Sequence, residues 1–102
     1  MKIDFSDLTK NLAKDIALTE KQLVEYVEKT TLDVQRDLIL ATPVDEGTAR
    51  RGWIATTPTK PFEPGAVENN VEYIGKLNDG HSKQAPVNFV ENVVARYNTG
   101  GN

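Results

Sequence analysis

The sequence predicts an α+β fold: an N-terminal helix and a long helix packed on a small antiparallel β-sheet, closed by a C-terminal helix. Three observations carry that expectation. The first 41 of 102 residues contain neither glycine nor proline, whereas all seven glycines and all five prolines follow Thr42. The glycine-free half repeats apolar residues at helical spacing (Leu12, Ile16, Leu23, Val27, Val34, Leu38), which marks a stripe along an α-helix. The second half breaks into short runs of strand formers bounded by turn residues.

A chain of this length supports one domain, with residues 1–5 and 98–102 expected to fray. Ser6 suits an N-cap, so a short helix is predicted over residues 6–16, with a break at Ala17–Thr19. Thr19-Glu20-Lys21-Gln22 fits a capping box, Thr19 capping and Gln22 reaching back. A long helix should then run from Glu20 to Ala41. Thr42 precedes Pro43, which disfavours helical geometry and should end it. Twenty helical residues span roughly 30 Å, enough to cross a domain of this size. Val24, Tyr26, Leu32, Ile39 and Leu40 widen its apolar face. That width fits a fully covered core helix, and equally a helix with one face on its own sheet and another on a neighbour.

Beyond the helix, Asp45 after Pro43-Val44 reads as a turn former whose side chain caps local amides. Trp53–Thr57 follows Gly52 and is rich in strand formers. Pro58, Pro61, Pro64 and Gly65 mark a loop. Ala66–Asn70 forms a second candidate strand. Val71–Leu77 fits either period. Asn78-Asp79-Gly80 is a turn signal. Pro86 can open a final helix as its first residue, with Phe89, Val90, Val93, Val94 and Tyr97 on its apolar face.

The chemistry such a chain can perform is narrow. The net charge is −3 and the sequence pI about 5.1, which argues against a general nucleic-acid binder with a strongly basic face. There is no cysteine, so disulfides and thiolate metal sites are excluded. No apolar run reaches the ~18 residues of a membrane span, and the acidic start lacks a signal-peptide core; a soluble protein made in a cytoplasm is expected. His81 is the single histidine and has no second His or Cys to share a metal. Asp79, His81 and Ser82 are close in sequence, but a triad needs a base within hydrogen-bond reach of its nucleophile, and this run reads better as a hydrogen-bonded turn. Adjacent Asp45 and Glu46 suit a turn better than an acid–base pair. Gly47 and Gly52 lack the phosphate-binding loop pattern. No catalytic residue, cofactor or metal is expected. Arg50 and Arg51 either bind carboxylates or phosphates of a partner or pair with Asp45, Glu46 or the acidic long helix. Trp53 is either core or an interface anchor.

In combination these residues resemble one family, the tail-completion and head–tail joining proteins of long-tailed phages (the minor tail protein Z-like group). The family pattern is a Thr-Pro-Val-Asp turn, a Gly, and an Arg-rich step into a Trp, matched by Thr42, Pro43, Val44, Asp45, Gly47, Arg50 and Trp53. An Asn followed by a Tyr is matched by Asn70 and Tyr73. A run Gly-His-Ser-Lys-Gln-Ala-Pro is matched by Gly80, His81, Ser82, Lys83, Gln84, Ala85 and Pro86, and a closing helix by Val87–Tyr97. The resemblance covers roughly residues 5–97. The chain departs from the pattern at Glu46, where the family usually has Thr, and its connection from Trp53 to Tyr73 is short.

The resemblance implies a non-enzymatic structural protein of the virion, present in the host cytoplasm before assembly. It implies other junction or tail proteins as partners, a ring of identical copies in place, no membrane, no cofactor and no specific nucleic-acid binding. The matched residues then serve as determinants of fold and interface. A cytoplasmic adaptor binding a partner through the long helix is the competing class, followed by a small nucleic-acid-binding module using Arg50, Arg51 and Lys60.

Overall fold

The computed structural model describes residues 1–4, 19–80 and 86–98. Along these, the order is β1 (Lys2–Asp4), α1 (Glu20–Ala41), α2 (Gly47–Arg51), β2 (Trp53–Thr56), β3 (Ala66–Asn69), α3 (Ile74–Asn78) and α4 (Phe89–Asn98). The fold class is α+β as expected: a three-stranded antiparallel sheet in the order β1-β3-β2, with the long helix packed against it and the C-terminal helix packed on the long helix. The predicted helix over 6–16 and its Ser6 cap lie outside the described residues.

The helix α1 begins and ends where its local chemistry dictates. The Gln22 amide donates to Thr19 Oγ1 and the Thr19 amide to Gln22 Oε1, both at 3.1 Å, so two orphan donors of the first turn are satisfied reciprocally. At the other end Thr42 is extended (φ −73°, ψ 135°), as a residue before proline must be. Between them one line is buried: Leu23, Val27, Thr31, Val34 and Leu38. Thr31 tolerates this position because its hydroxyl donates to the Val27 carbonyl at 2.7 Å. Ile39 is half-buried against the core, while Tyr26, Leu32 and Leu40 remain exposed.

Strand β3 is the centre of the sheet. Side chains alternate across a strand, and Val67 and Asn69 face inward, fully buried, beside Trp53 of β2 and Ile3 of β1. Lys2, Asp4, Ile54 and Thr56 point the other way and are exposed. The core joins both helices to this inner face: Val34 and Leu38 from α1, Phe89, Val90 and Val93 from α4, Ile74 and Leu77 from α3, and Ala49, Trp53 and Val67.

Several local expectations need correction. Residues 2–4, placed by the sequence in an end expected to fray, form β1: Ile3 pairs with Val67, and the Met1 ammonium and carbonyl exchange bonds with the Asn69 carbonyl and amide at 3.0 and 2.8 Å. The stretch before Trp53 is not simply a turn; it holds the helical turn α2. The ambiguous run after Val71 resolves to the short helix α3, which buries Ile74 and Leu77. The last helix starts at Phe89 rather than at Pro86, because Asn88 has a left-handed backbone (φ 61°) that cannot continue a helix.

Candidate functional site

The site built by the Thr42–Trp53 segment starts from a general problem. A helix leaves its last four carbonyls without intrahelical partners, and those of α1 end in a buried corner. Two side chains answer them, and a third holds one of the two. Thr42 Oγ1 donates to the Leu38 carbonyl at 2.7 Å. Arg50 Nε donates to the Ile39 carbonyl at 3.0 Å, placing a guanidinium at the negative end of the helix dipole. Trp53 Nε1 donates to Thr42 Oγ1 at 2.9 Å, so the threonine hydroxyl donates to the helix and accepts from the indole. Pro43 and Trp53 are buried and Arg50 is half-buried.

The sheet is fastened to the same corner. Asn69 Nδ2 donates to the Ala49 carbonyl at 2.9 Å, and its Oδ1 accepts from the Val71 amide at 2.9 Å. Gly52 allows this close approach: a Cβ there would stand 2.7 Å from Val71 Cγ2 and 2.8 Å from Asn69 Oδ1. From the helix side, Gln35 Nε2 donates to the Trp53 carbonyl at 2.9 Å. The β2–β3 loop is held by Glu63, whose carboxylate accepts from the Thr59 and Lys60 amides; these bonds keep its carboxyl below the usual range.

Placed on this geometry, the expected residues divide. Arg50, Trp53 and Pro43 meet at the corner. Asp45 does not cap it: its side chain is exposed and makes no hydrogen bond or ion pair among the described residues, and α2 has no side-chain cap. The turn is closed instead by main chain, the Glu46 amide donating to the Pro43 carbonyl at 3.0 Å. Neither Arg50 nor Arg51 pairs with Asp45 or Glu46; Arg50 serves the helix carbonyl, and the Arg51 guanidinium folds over Gly47. Asn70 is exposed and donates to Glu68 at 2.7 Å, so the buried, corner-forming asparagine is its neighbour Asn69. Tyr73 is half-buried against the core.

At the second corner, Gly80 adopts φ 91° with Val87 beside it, and Pro86 is exposed. His81, Ser82 and Gln84 lie outside the described residues. The residue sequence reasoning missed is Asn78, which is buried at 5% exposure. Its carbonyl accepts from the Asn88 amide at 2.6 Å, its Oδ1 from the Val90 amide at 3.0 Å, and its Nδ2 donates to both Glu91 oxygens at 2.9 and 3.1 Å. Asn78 therefore caps α4 from another element. In sequence it shows only as part of a turn signal, because the helix it caps begins eleven residues later.

The remaining polar cluster joins α4 to α1. The Tyr97 hydroxyl donates to the Asp37 carboxylate, beside Asp33 and Arg36, which pair with each other at 3.3 Å. Burial first, and then the bond to Asp37, push the Tyr97 phenol up to about 12. A phenol that holds its proton this firmly serves as a fastener rather than as an acid or base near neutral pH. Among the described residues no three His, Cys, Asp or Glu side chains gather as a metal site, and no helix is long and apolar enough to cross a membrane. An open groove of about 330 Å³ lies between the end of α1 and α4.

Searches against protein-family models, curated proteins and solved structures find no match to this chain.

Proposed function

We propose that this chain is a non-enzymatic structural protein of a tailed-phage virion, acting at the head–tail junction as a tail-completion or head–tail connector protein. The observation that carries the reading is the use made of the motif residues: Pro43, Arg50 and Trp53 are spent on ending a long helix and fastening it to a sheet. An assembly protein needs a corner of fixed angle from which exposed residues meet a neighbour. Leu40, Val44 and Val87, at 65, 72 and 55% exposure, stand at the ends of the two corners and supply such residues. Its partners in this reading are other junction or tail proteins and further copies of itself in a ring. It needs no cofactor, and it is present in the host cytoplasm before it is built into the virion. The third class, a nucleic-acid module using Arg50, Arg51 and Lys60, is less favoured, since Arg50, one of its three cations, is tied by its Nε to a helix carbonyl.

The test is disruption of the gene in its host phage or prophage. Electron micrographs should show filled heads and complete tails that do not join, and expression in trans should restore joining. Normal particles from the disrupted strain would refute the proposal.

A further inference from the structure

Phe62 sits where the backbone penalises it. Pro61 at the second position and a left-handed third residue (Phe62, φ 69°) make Lys60–Glu63 a type II turn, closed by the Glu63 amide donating to the Lys60 carbonyl at 3.3 Å. That third position favours glycine, and a bulky side chain there costs stability. The ring does not recover the loss by packing: it is 62% exposed and takes no part in the core. The turn that carries it is nevertheless fixed. Glu63 accepts from the Thr59 hydroxyl at 3.2 Å as well as from the two loop amides, and buried Pro58 and Gly65 anchor the loop on either side. A rigid, strained turn displaying an aromatic ring is a preorganised contact.

The chain also carries a matching receptor. An open, mostly apolar groove of about 350 Å³ runs between β1 and α4, its sides formed by Met1 and Ile3 of the strand and Val94 and Ala95 of the helix, with Val90 beneath. A cavity of about 150 Å³ holds benzene, so a phenyl ring fits. Lys2 and Glu91 add one charge from each side, and Lys60 and Glu63 flank Phe62. Lys2, Lys60 and Glu91 form no ion pair among the described residues. The charges match in one orientation, Lys60 toward Glu91 and Glu63 toward Lys2. The loop leaves the sheet at its Thr56–Ala66 end, whereas the groove lies beside Met1–Ile3, toward the Asn69 end. Knob and groove are therefore different surfaces, and a contact between them is heterologous and repeats from copy to copy.

We propose that copies of this chain associate end to end, Phe62 of one copy inserting between β1 and α4 of the next. The contact forms in the free protein; only its closure into a ring rests on the virion reading.

Sedimentation equilibrium of the purified full chain, up to about 1 mM, where even weak association registers, tests it. The wild type should exceed its monomer mass of 11.3 kDa increasingly with concentration. Phe62→Gly removes the knob and Ala95→Arg fills the groove from an exposed helix position; each alone should remain a monomer. Mixed, each supplies the half the other lacks, so the pair should form a dimer and nothing larger. Lys60→Glu should weaken association about fivefold. Far-UV circular dichroism verifies that the variants fold, and Phe62→Gly should melt no lower than wild type, since glycine relieves the turn. A monomeric wild type, variants that associate as wild type does, a mixture without a dimer, or a Phe62→Gly that melts lower overturns the proposal. Heads and tails that fail to join in a disrupted strain bear on the virion reading and not on this contact.

Discussion

Replacing Trp53 tests the corner directly, because two substitutions separate its two contributions. Trp53→Phe removes the Nε1 donor to Thr42 and part of the ring while leaving an apolar side chain at a position 2% exposed. A lost buried hydrogen bond is worth about 1 kcal/mol, and the lost ring area about 1 kcal/mol more. The sum, about 2 kcal/mol, corresponds to a drop in Tm of about 8–16 °C for a domain of this size. Trp53→Ala adds a cavity and should cost about 3–5 kcal/mol, a large share of the 5–15 kcal/mol by which domains are typically stable. The assay is urea and thermal unfolding followed by far-UV circular dichroism, since the substitution removes the single tryptophan that fluorescence would use. Thr42→Val completes a double-mutant cycle. The indole–hydroxyl contact should appear as a coupling of about 0.5–1.5 kcal/mol. Trp53→Phe within about 0.5 kcal/mol of wild type, or a cycle that adds without coupling, would refute the role assigned to this bond.

Three further outcomes follow from other contacts. Asn78→Ala strands the Val90 amide and the Glu91 carboxylate in a part-buried site and should cost about 1–3 kcal/mol, with amide exchange fastest at the start of α4; unchanged protection there would contradict the capping role. Gly65→Ala places a Cβ 1.8 Å from Thr31 Oγ1 and should cost about 1–3 kcal/mol, partly relieved by adding Thr31→Ala; equal stability would contradict the packing of the loop on α1. The Tyr97 phenol, raised to about 12 from its ordinary value of 10.0, contributes stability that is fully present below the unfolded value and is lost as pH rises through the folded one. Stability should therefore fall more steeply between those values in wild type than in Tyr97→Phe, and ultraviolet titration should show one of the three tyrosines ionising last; three tyrosines titrating together would contradict it.

What could be read in the residues was governed by local physics. The capping box at Thr19, the stop at Thr42 and the apolar line of α1 depend on neighbours within a few residues, and all are present as the sequence predicts. The two longer strands follow from β-forming runs between turn residues and are displaced by at most one residue. The misses come from contacts across long separations. Strand β1 is three residues of ordinary composition, and only β3, more than sixty residues away, makes it a strand. Asn78 looks like any turn asparagine until α4 is folded against it. Asp45 carries every local mark of a capping residue, yet the main chain closes the turn without it. Arg50 looked like a partner for nearby carboxylates, but the unmet carbonyls of α1 lie nearer in space. Trp53, which composition left open between core and interface, is core.

The account's central claim is that this polypeptide is a built part of a particle rather than a soluble agent acting on one. Quantitative mass spectrometry of gradient-purified particles from an induced culture measures this directly. The account predicts peptides of this chain in the joined particles at a fixed ratio to the major structural proteins, retained through repeated banding. Peptides abundant in the lysate but absent from the banded particles would contradict it.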